Sequence, residues 1–276
     1  MEYYTDGKDV TYTTPCPDRT YDSIEDFHMD AYHYLNNSLL SLPWNKLFLR
    51  EHIENNNIRF LKTKWPDHHF CMDYLMDCKK VVLSSMTKYH WYRSKKDAST
   101  MIIYADPNLY KKRAEHYQHI LRVYEHWGVN DVDSMDGISS YYVGRLVQCV
   151  QEIADNKKMK MKEKKFRVKN MVEDTMTINA LRRAKSTSKM MKIMAWPLKT
   201  KNVTLCIMFG QGISLVRKLF PGVFIKLKEQ EVHNAGGALV YRYSIIYQNP
   251  VYKQDTELFI MLPFTKTNVF CFVGGA

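Results

Sequence analysis

The stretch WPLKTKNVTLCIMFGQGISLVRKLFPG, Trp196 to Gly222, decides the fold, because the character of the chain changes within it. After Trp196-Pro197 the segments VTLCIMF, VFIKLKE, ALVYRYSIIY, TELFIML and NVFCFV are β-branched and aromatic and are separated by Gly and Pro. That is the composition of strands and turns. Gly210-Gln211-Gly212 reads as the turn after the first strand, and ISLVRKLF as one short helix before Pro221-Gly222. Before Trp196, apolar residues recur instead at helical spacing. The expected class is α+β, predominantly α-helical: a helical body over about 1–195 and a C-terminal antiparallel β layer over about 200–273.

Immediately upstream lies KKMKMKEKKFRVKNMVEDTMTINALRRAKSTSKMMKIMAWPLKTK, Lys157 to Lys201, with fifteen Lys or Arg and three acids. Its net charge of +12 exceeds the +11 of the whole chain, so the remainder is close to neutral. The basicity is therefore one contiguous segment and not a uniformly cationic surface. Phe166, Met171, Val172, Ile178 and Leu181 give a helical period, which predicts one helix from about Lys160 to Lys185 with a cationic face.

Farther back, Ser23 with Asp26 three residues on predicts a helix start. Ile24, Phe27, Ala31, Leu35 and Leu39 follow at helical spacing. Pro43 predicts the first turn of a second helix through about Glu54, and IRFLK a short strand. A third helix from Asp67 carries Phe70, Cys71, Tyr74, Leu75, Cys78, Val81 and Val82. Beyond the YHWYRSKK loop and a TMIIY strand, Asp106-Pro107 opens a long helix that Gly128 ends. The acidic VNDVDSMDG loop then leads to a helix from about Ser139 to Ala154. Three regions follow: an extended arm (1–20) with Pro15 and Pro17 around Cys16, a helical body (21–200) that includes the basic 157–201 segment, and a β-rich region (201–276) packed on the body.

Length and a hydrophobic content of 45% are ordinary for a globular chain with a real core. No window approaches the roughly 18 apolar residues of a membrane span, and the N-terminus has no signal-peptide apolar region, so a soluble cytosolic product is expected. The six cysteines contain no CxxC pair, which argues against zinc ribbons and thioredoxin-type sites.

Candidate sites are few. His116 and His119, an i, i+3 pair with His126 beyond, would suit one metal, but the HExxH order is absent and spacing supplies no third ligand. NDVDSMDGISSY has the acid density of a calcium loop, yet Tyr142 stands where the last glutamate belongs; an acidic turn capping the next helix is the reading. Gly210-Gln211-Gly212 before a short helix lacks the rest of any phosphate-binding pattern. No catalytic set appears, so no enzyme, cofactor or metal is expected. The basic residues Lys157, Lys158, Lys160, Lys162, Lys164, Lys165, Arg167, Lys169, Arg182, Arg183 and Lys185 read as a nuclear-import signal, as an electrostatic contact for nucleic acid or an anionic surface, or as a solvated face. A second copy would offer acids as partner: Glu25, Asp26 and Asp30, or Asp67, Asp73 and Asp77.

With nineteen Tyr, the KKMKMKEKKFRVK cluster and the Pro15-Cys16-Pro17 arm, the chain resembles viral occlusion-body proteins, the polyhedrins, and is most similar to the nudivirus kind. That resemblance implies a structural protein without enzymatic activity that assembles with its own copies into a crystalline lattice around virions. It would gather in the host nucleus, leave the cell as particles and dissolve in alkali as Tyr and Lys titrate near pH 10. It also makes Cys16 the candidate for an intermolecular disulfide. The alternative is a viral nucleoprotein or matrix-type protein whose 157–201 segment binds nucleic acid or anionic membrane. A metal-dependent enzyme built around His116 and His119 is the third possibility.

Overall fold

The computed structural model describes residues 2–5, 9–13, 16–36, 39–62, 65–85, 90–93, 108–185, 189–219 and 269–273. Within the N-terminal arm, β1 (Glu2–Thr5) and β2 (Asp9–Thr13) pair antiparallel, and β3 (Arg19–Thr20) follows. The arm is extended, as its prolines and threonines predict, but its strands pair within this chain. Ser23 caps α1 (Ile24–Asp30), its hydroxyl accepting from the Asp26 amide at 3.1 Å. Phe27, Ala31, Leu35 and Leu39 are each fully buried, as the spacing predicts, but not along one helix: α1 ends at Asp30 and is followed only by a 3₁₀ turn, Ala31–Tyr34.

Pro43 opens only a 3₁₀ turn, Pro43–Asn45, followed by a two-residue strand, β4 (Lys46–Leu47), and α2 (Arg50–Asn55). The predicted continuous helix is interrupted because β4 takes a strand partner far away in sequence. IRFLK is not a strand. Asn57, at φ 48°, turns the chain into left-handed backbone, Ile58 plugs the core, and Phe60 stacks on Phe70 with ring centroids 4.2 Å apart. Pro66 starts α3 (Pro66–Met76), whose Phe70, Cys71, Tyr74 and Leu75 are buried. Val81 and Val82 do not extend it; they belong to β5 (Lys80–Ser84), where Val81 and Leu83 alternate inward. β6 (His90–Arg93) follows. α4 (Leu109–His126) stops where predicted, at Gly128, whose φ of +69° suits glycine.

The expected acidic loop is instead the first two turns of a 24-residue helix, α5 (Val132–Asp155). Asp131 is its cap, its carboxylate accepting from the Ser134 amide at 2.9 Å. Ser139 and Tyr142 continue the same face, and Tyr142 stacks on Tyr117 of α4 at 4.2 Å. The predicted single basic helix is two: α6 (Met161–Glu173) and α7 (Thr175–Arg183). Asp174, at φ −66° and ψ 133°, leaves the helical region and accepts from the Met176 and Thr177 amides at 2.9 and 3.1 Å. A side chain able to cap from within a helical pattern breaks that pattern in two. Val168, Met171, Val172 and Leu181 face inward, whereas Phe166, expected among them, is 64% exposed.

Pro197 lies inside α8 (Lys189–Lys199), and VTLCIMFGQGISLVRKL is a single helix, α9 (Val203–Leu219). The strand, glycine turn and short helix expected here are absent. Cys206, Ile207, Gly210 and Ser214 are the buried row, spaced as on one helical face that packs along α5. α9 also packs on α6 and α8, so α5 and α9 form the axis of the C-terminal helices. Burying each large side chain of this seam, such as Leu146 or Val150, contributes about 1.5–3 kcal/mol.

The last described strand, β7 (Val269–Val273), holds VFCFV of the predicted NVFCFV strand. It enters a four-stranded sheet of order β3-β5-β7-β4 that is mixed: β3–β5 and β7–β4 are antiparallel, β5–β7 parallel. The partners of β7 thus come from the first third of the chain, not from a C-terminal layer. The second sheet, β2-β1-β6, pairs β1 with β6 in parallel. The predicted segments VFIKLKE, ALVYRYSIIY and TELFIML, the TMIIY strand and Asp106-Pro107 lie outside the described residues. The described chain is predominantly helical, and no helix in it is long and apolar enough to cross a membrane.

Candidate functional site

Two places gather chemistry: the cationic helices α6 to α9, and a histidine seam between α3 and α4. Among the basic residues singled out from sequence, Lys164 is a structural group. It is buried, and its ammonium donates to the Ala154 carbonyl at 2.6 Å, closing the C-terminal end of α5. Arg167 bonds Glu163 one turn away at 2.6 Å, Lys169 reaches Glu173 at 3.9 Å, and Lys185 pairs with Asp136 at 2.6 Å. Lys157, Lys158, Lys160, Lys162, Lys165, Arg182 and Arg183 are solvent-exposed, as are Lys192, Lys199 and Lys201. The segment's charge is therefore presented outward, except at Lys164.

The acids expected to receive that charge from a second copy are largely engaged at home. Asp30 is paired with Arg19 and accepts from the Tyr21 hydroxyl at 3.1 Å. Asp73 holds His119 at 2.7 Å, and Asp77 holds His126 at 2.9 Å. Asp67 is half-buried, and burial raises its pKa against the pull of Lys46. Glu25, Asp26 and Asp77 stand exposed.

Sequence reasoning missed the apolar side of the cationic region. No Asp or Glu occurs between Asp174 and Glu229. Inside that acid-free run, α8 exposes Ile193 and Trp196 between Lys192 and Lys199. On α9, Thr204, Met208, Gln211, Leu215 and Leu219 make one exposed face, with Met208 at 61%. The helices meet at Trp196 and Phe209, whose rings lie 6.0 Å apart edge to face. Reading 203–209 as a strand and ISLVRKLF as a separate short helix hid this face, since only one continuous helix aligns Thr204 and Met208 with Gln211, Leu215 and Leu219.

At the other place, the sequence singled out His116 and His119; the fold brings His68 and His69 of α3 onto them. Ring centroids are 4.9 Å apart for His68–His116, 4.9 Å for His69–His116 and 4.5 Å for His69–His119. His119 donates from Nε2 to Asp73, and His68 shares a 3.2 Å hydrogen bond with the Ser41 hydroxyl. Burial, then the neighbouring imidazoles, pushes the pKa of His68 well below its ordinary value and that of His116 down to about 3. His69 is lowered for the same reasons. Among the described residues no three His, Cys, Asp or Glu side chains stand as a metal-ligand set. These shifts hold His68, His69 and His116 toward the neutral form, and His68 stacks on His116. Nothing in the sequence links the His68-His69 pair to a helix that begins forty residues later; only the packing of α3 on α4 does.

Cys16 is buried, against the exposure expected of an arm, and burial lifts its thiol to about 11. A bridge to another molecule from here requires residues 16–20 to leave their place beside β5. Among the described residues the cysteines at 16, 71, 78, 149 and 206 are free and buried. Gly210-Gln211-Gly212 lies within α9 and offers no helix N-terminus to an anion.

No protein-family model, curated protein or solved structure matches this chain. What the surface can do rests on its own geometry. A face that is cationic, apolar and aromatic at once, and free of acids, fits a partner that is anionic at its surface and apolar beneath.

Proposed function

We propose that the protein is a matrix-type peripheral protein that docks on an anionic membrane through the outer faces of α8 and α9. The observation that carries this reading is the exposure of Ile193, Trp196, Met208, Leu215 and Leu219 beside Lys192, Lys199 and Lys201 in an acid-free stretch. Tryptophan and aliphatic side chains enter the headgroup and acyl boundary, while lysine stems lie along it with their ammoniums in water. Three lysines near such a surface contribute together about 3 kcal/mol, lost as salt screens them.

A nucleic acid would use the lysines and could stack on Trp196 or Phe166, but it has no use for the exposed Met208, Leu215 and Leu219. The self-assembling occlusion-body reading asks for acidic patches on a second copy, and Asp30, Asp73 and Asp77 already have partners within the chain.

Vesicle flotation tests the proposal. The protein should float with vesicles containing phosphatidylserine and not with phosphatidylcholine alone. The double change Ile193→Asp with Trp196→Asp should abolish flotation at unchanged circular dichroism. Binding to single-stranded oligonucleotides without vesicle binding would replace this reading with the nucleoprotein one. Ordered particles in expressing cells, with no lipid bound, would replace it with the lattice one.

A further inference from the structure

Behind the exposed side of α8, a groove of about 430 Å³ opens between α5 and α8. Its floor is aliphatic, built by Val143, Met191 and Ala195, and its rim carries Lys185, Lys192 and Lys199. The size is that of a small-molecule site. Ser140 also borders the groove, but its hydroxyl is spent on the Asp136 carbonyl of its own helix at 2.8 Å. Asp136 is paired with Lys185 of the rim at 2.6 Å.

The ligand class follows from what the lining has and lacks. Among the described residues no aromatic ring lines the groove to stack a base, and no amide or carboxylate side chain lines it to read a base edge or a sugar. Methyl and methylene groups on the floor suit an acyl chain. Lysines on the rim suit the phosphate above it, and Lys192 and Lys199, seven residues apart on one helix, stand about 10 Å from each other along the axis. Trp196 and Ile193, which the membrane reading places at the lipid boundary, lie on the same helix, so the mouth is beside the bilayer in that reading.

From this arrangement we infer that the groove between α5 and α8 takes one acyl chain of an anionic membrane phospholipid, with its phosphate held by Lys192 and Lys199. The inference rests on the proposed membrane docking but is separable from it. Docking uses the outer face of α8; the groove would extract or anchor a single lipid molecule. Such a site converts a weak, salt-sensitive surface attachment into one with headgroup selectivity.

The probe is dihexanoyl phosphatidylserine below its micelle concentration, titrated by calorimetry into the full-length protein. Saturable binding at one lipid per chain is expected, with dihexanoyl phosphatidylcholine at least tenfold weaker. Ala195→Phe and, independently, Ser140→Phe fill the groove from α8 and from α5. Each should weaken the monomeric lipid at least tenfold while flotation with phosphatidylserine vesicles persists. Ile193→Asp with Trp196→Asp should do the reverse. The groove site is overturned if the native protein shows no saturable binding of the monomeric lipid, if both filling variants bind it as the native protein does, or if a short oligonucleotide competes it away. Loss of vesicle flotation in the native protein with retained binding of the soluble lipid removes the docking proposal and leaves the groove.

Discussion

Gly210 on α9 lies so close to Ala154 on α5 that a β-carbon at 210 would stand 2.9 Å from the Ala154 Cβ and 3.0 Å from the Val150 carbonyl oxygen. Gly212, two residues on, has open space where its β-carbon would be. The two glycines therefore behave oppositely. Gly210→Ala forces the helices apart and should destabilise by about 1–3 kcal/mol, in spite of alanine's better helix propensity. Gly212→Ala, on the exposed side of a helix, should stabilise by about 0.5–1 kcal/mol. Thermal or urea melts of the two variants check this, and destabilisation by Gly212→Ala would restore the glycine-turn reading of this stretch.

Lys164 should separate from its basic neighbours in the same kind of experiment. Lys164→Ala leaves the Ala154 carbonyl without its buried donor and should cost about 1–3 kcal/mol. Lys162→Ala and Lys165→Ala, both exposed, should stay within about 0.5 kcal/mol. Urea midpoints that failed to separate Lys164 from the other two would remove its role as the closure of α5.

Acid should weaken the fold at the histidine seam. His68, His69 and His116 have folded pKa values below the unfolded value of about 6.5, so the unfolded chain takes up protons first. Their contribution is complete above about pH 6.5 and is lost as pH falls from there toward the folded value of about 3 at His116. Arg113, Arg122 and Arg145 act in the same direction, while Asp73 and Glu115 oppose it. Each such histidine costs on the order of 1.4 kcal/mol per pH unit in that window. His116→Gln should flatten the dependence of the urea midpoint between pH 7 and pH 5; an unchanged slope would show that acid acts elsewhere.

Alkali acts through buried tyrosines. Burial raises Tyr110 to about 12 and pushes Tyr21, Tyr124 and Tyr142 higher still. These phenols stay neutral in the folded chain at pH 10 to 11, so they supply no repulsion there. Because their folded values lie above the unfolded value of about 10, stability is present below that pH and is lost as pH rises past it. The tyrosinate absorbance near 295 nm should therefore rise in two phases, the second coinciding with loss of helical circular dichroism. A single early phase with the helices intact would place these rings at the surface.

How much of this was legible before the fold was known varies with the range of the interaction involved. Ser23 and Gly128 act on their own backbone neighbours, and the helix ends they predict are where they were expected. Asp131 caps α5, as the acidic-turn reading expected, though earlier in the chain than the expected start at Ser139, whereas the cap at Asp174 was masked by helical periodicity. The inward row of Phe27, Ala31, Leu35 and Leu39 was readable from spacing, while Phe166 was misplaced because Lys164, Val168, Met171 and Val172 take the buried face of α6 and leave position 166 on the other side. For the surface, the charge of Lys157 to Lys201 was visible, but the burial of Lys164 against a backbone carbonyl and the pairing of Lys185 with Asp136 depend on partners that the fold selects.

The amino-acid order by itself determined the helical N-terminal two-thirds, the break at Gly128 and the outward cationic charge, because each depends on local propensity or composition. Whether Val203 to Leu219 is strand or helix was left to tertiary structure. Its β-branched and aromatic residues favour a strand locally, and its two glycines favour a turn. Packing against α5 reverses both preferences, since a helix alone puts Cys206, Ile207, Gly210 and Ser214 on one buried face and lets a glycine meet Ala154. The same choice sets Met208, Leu215 and Leu219 outward beside Trp196, and with them the surface on which the proposed function rests.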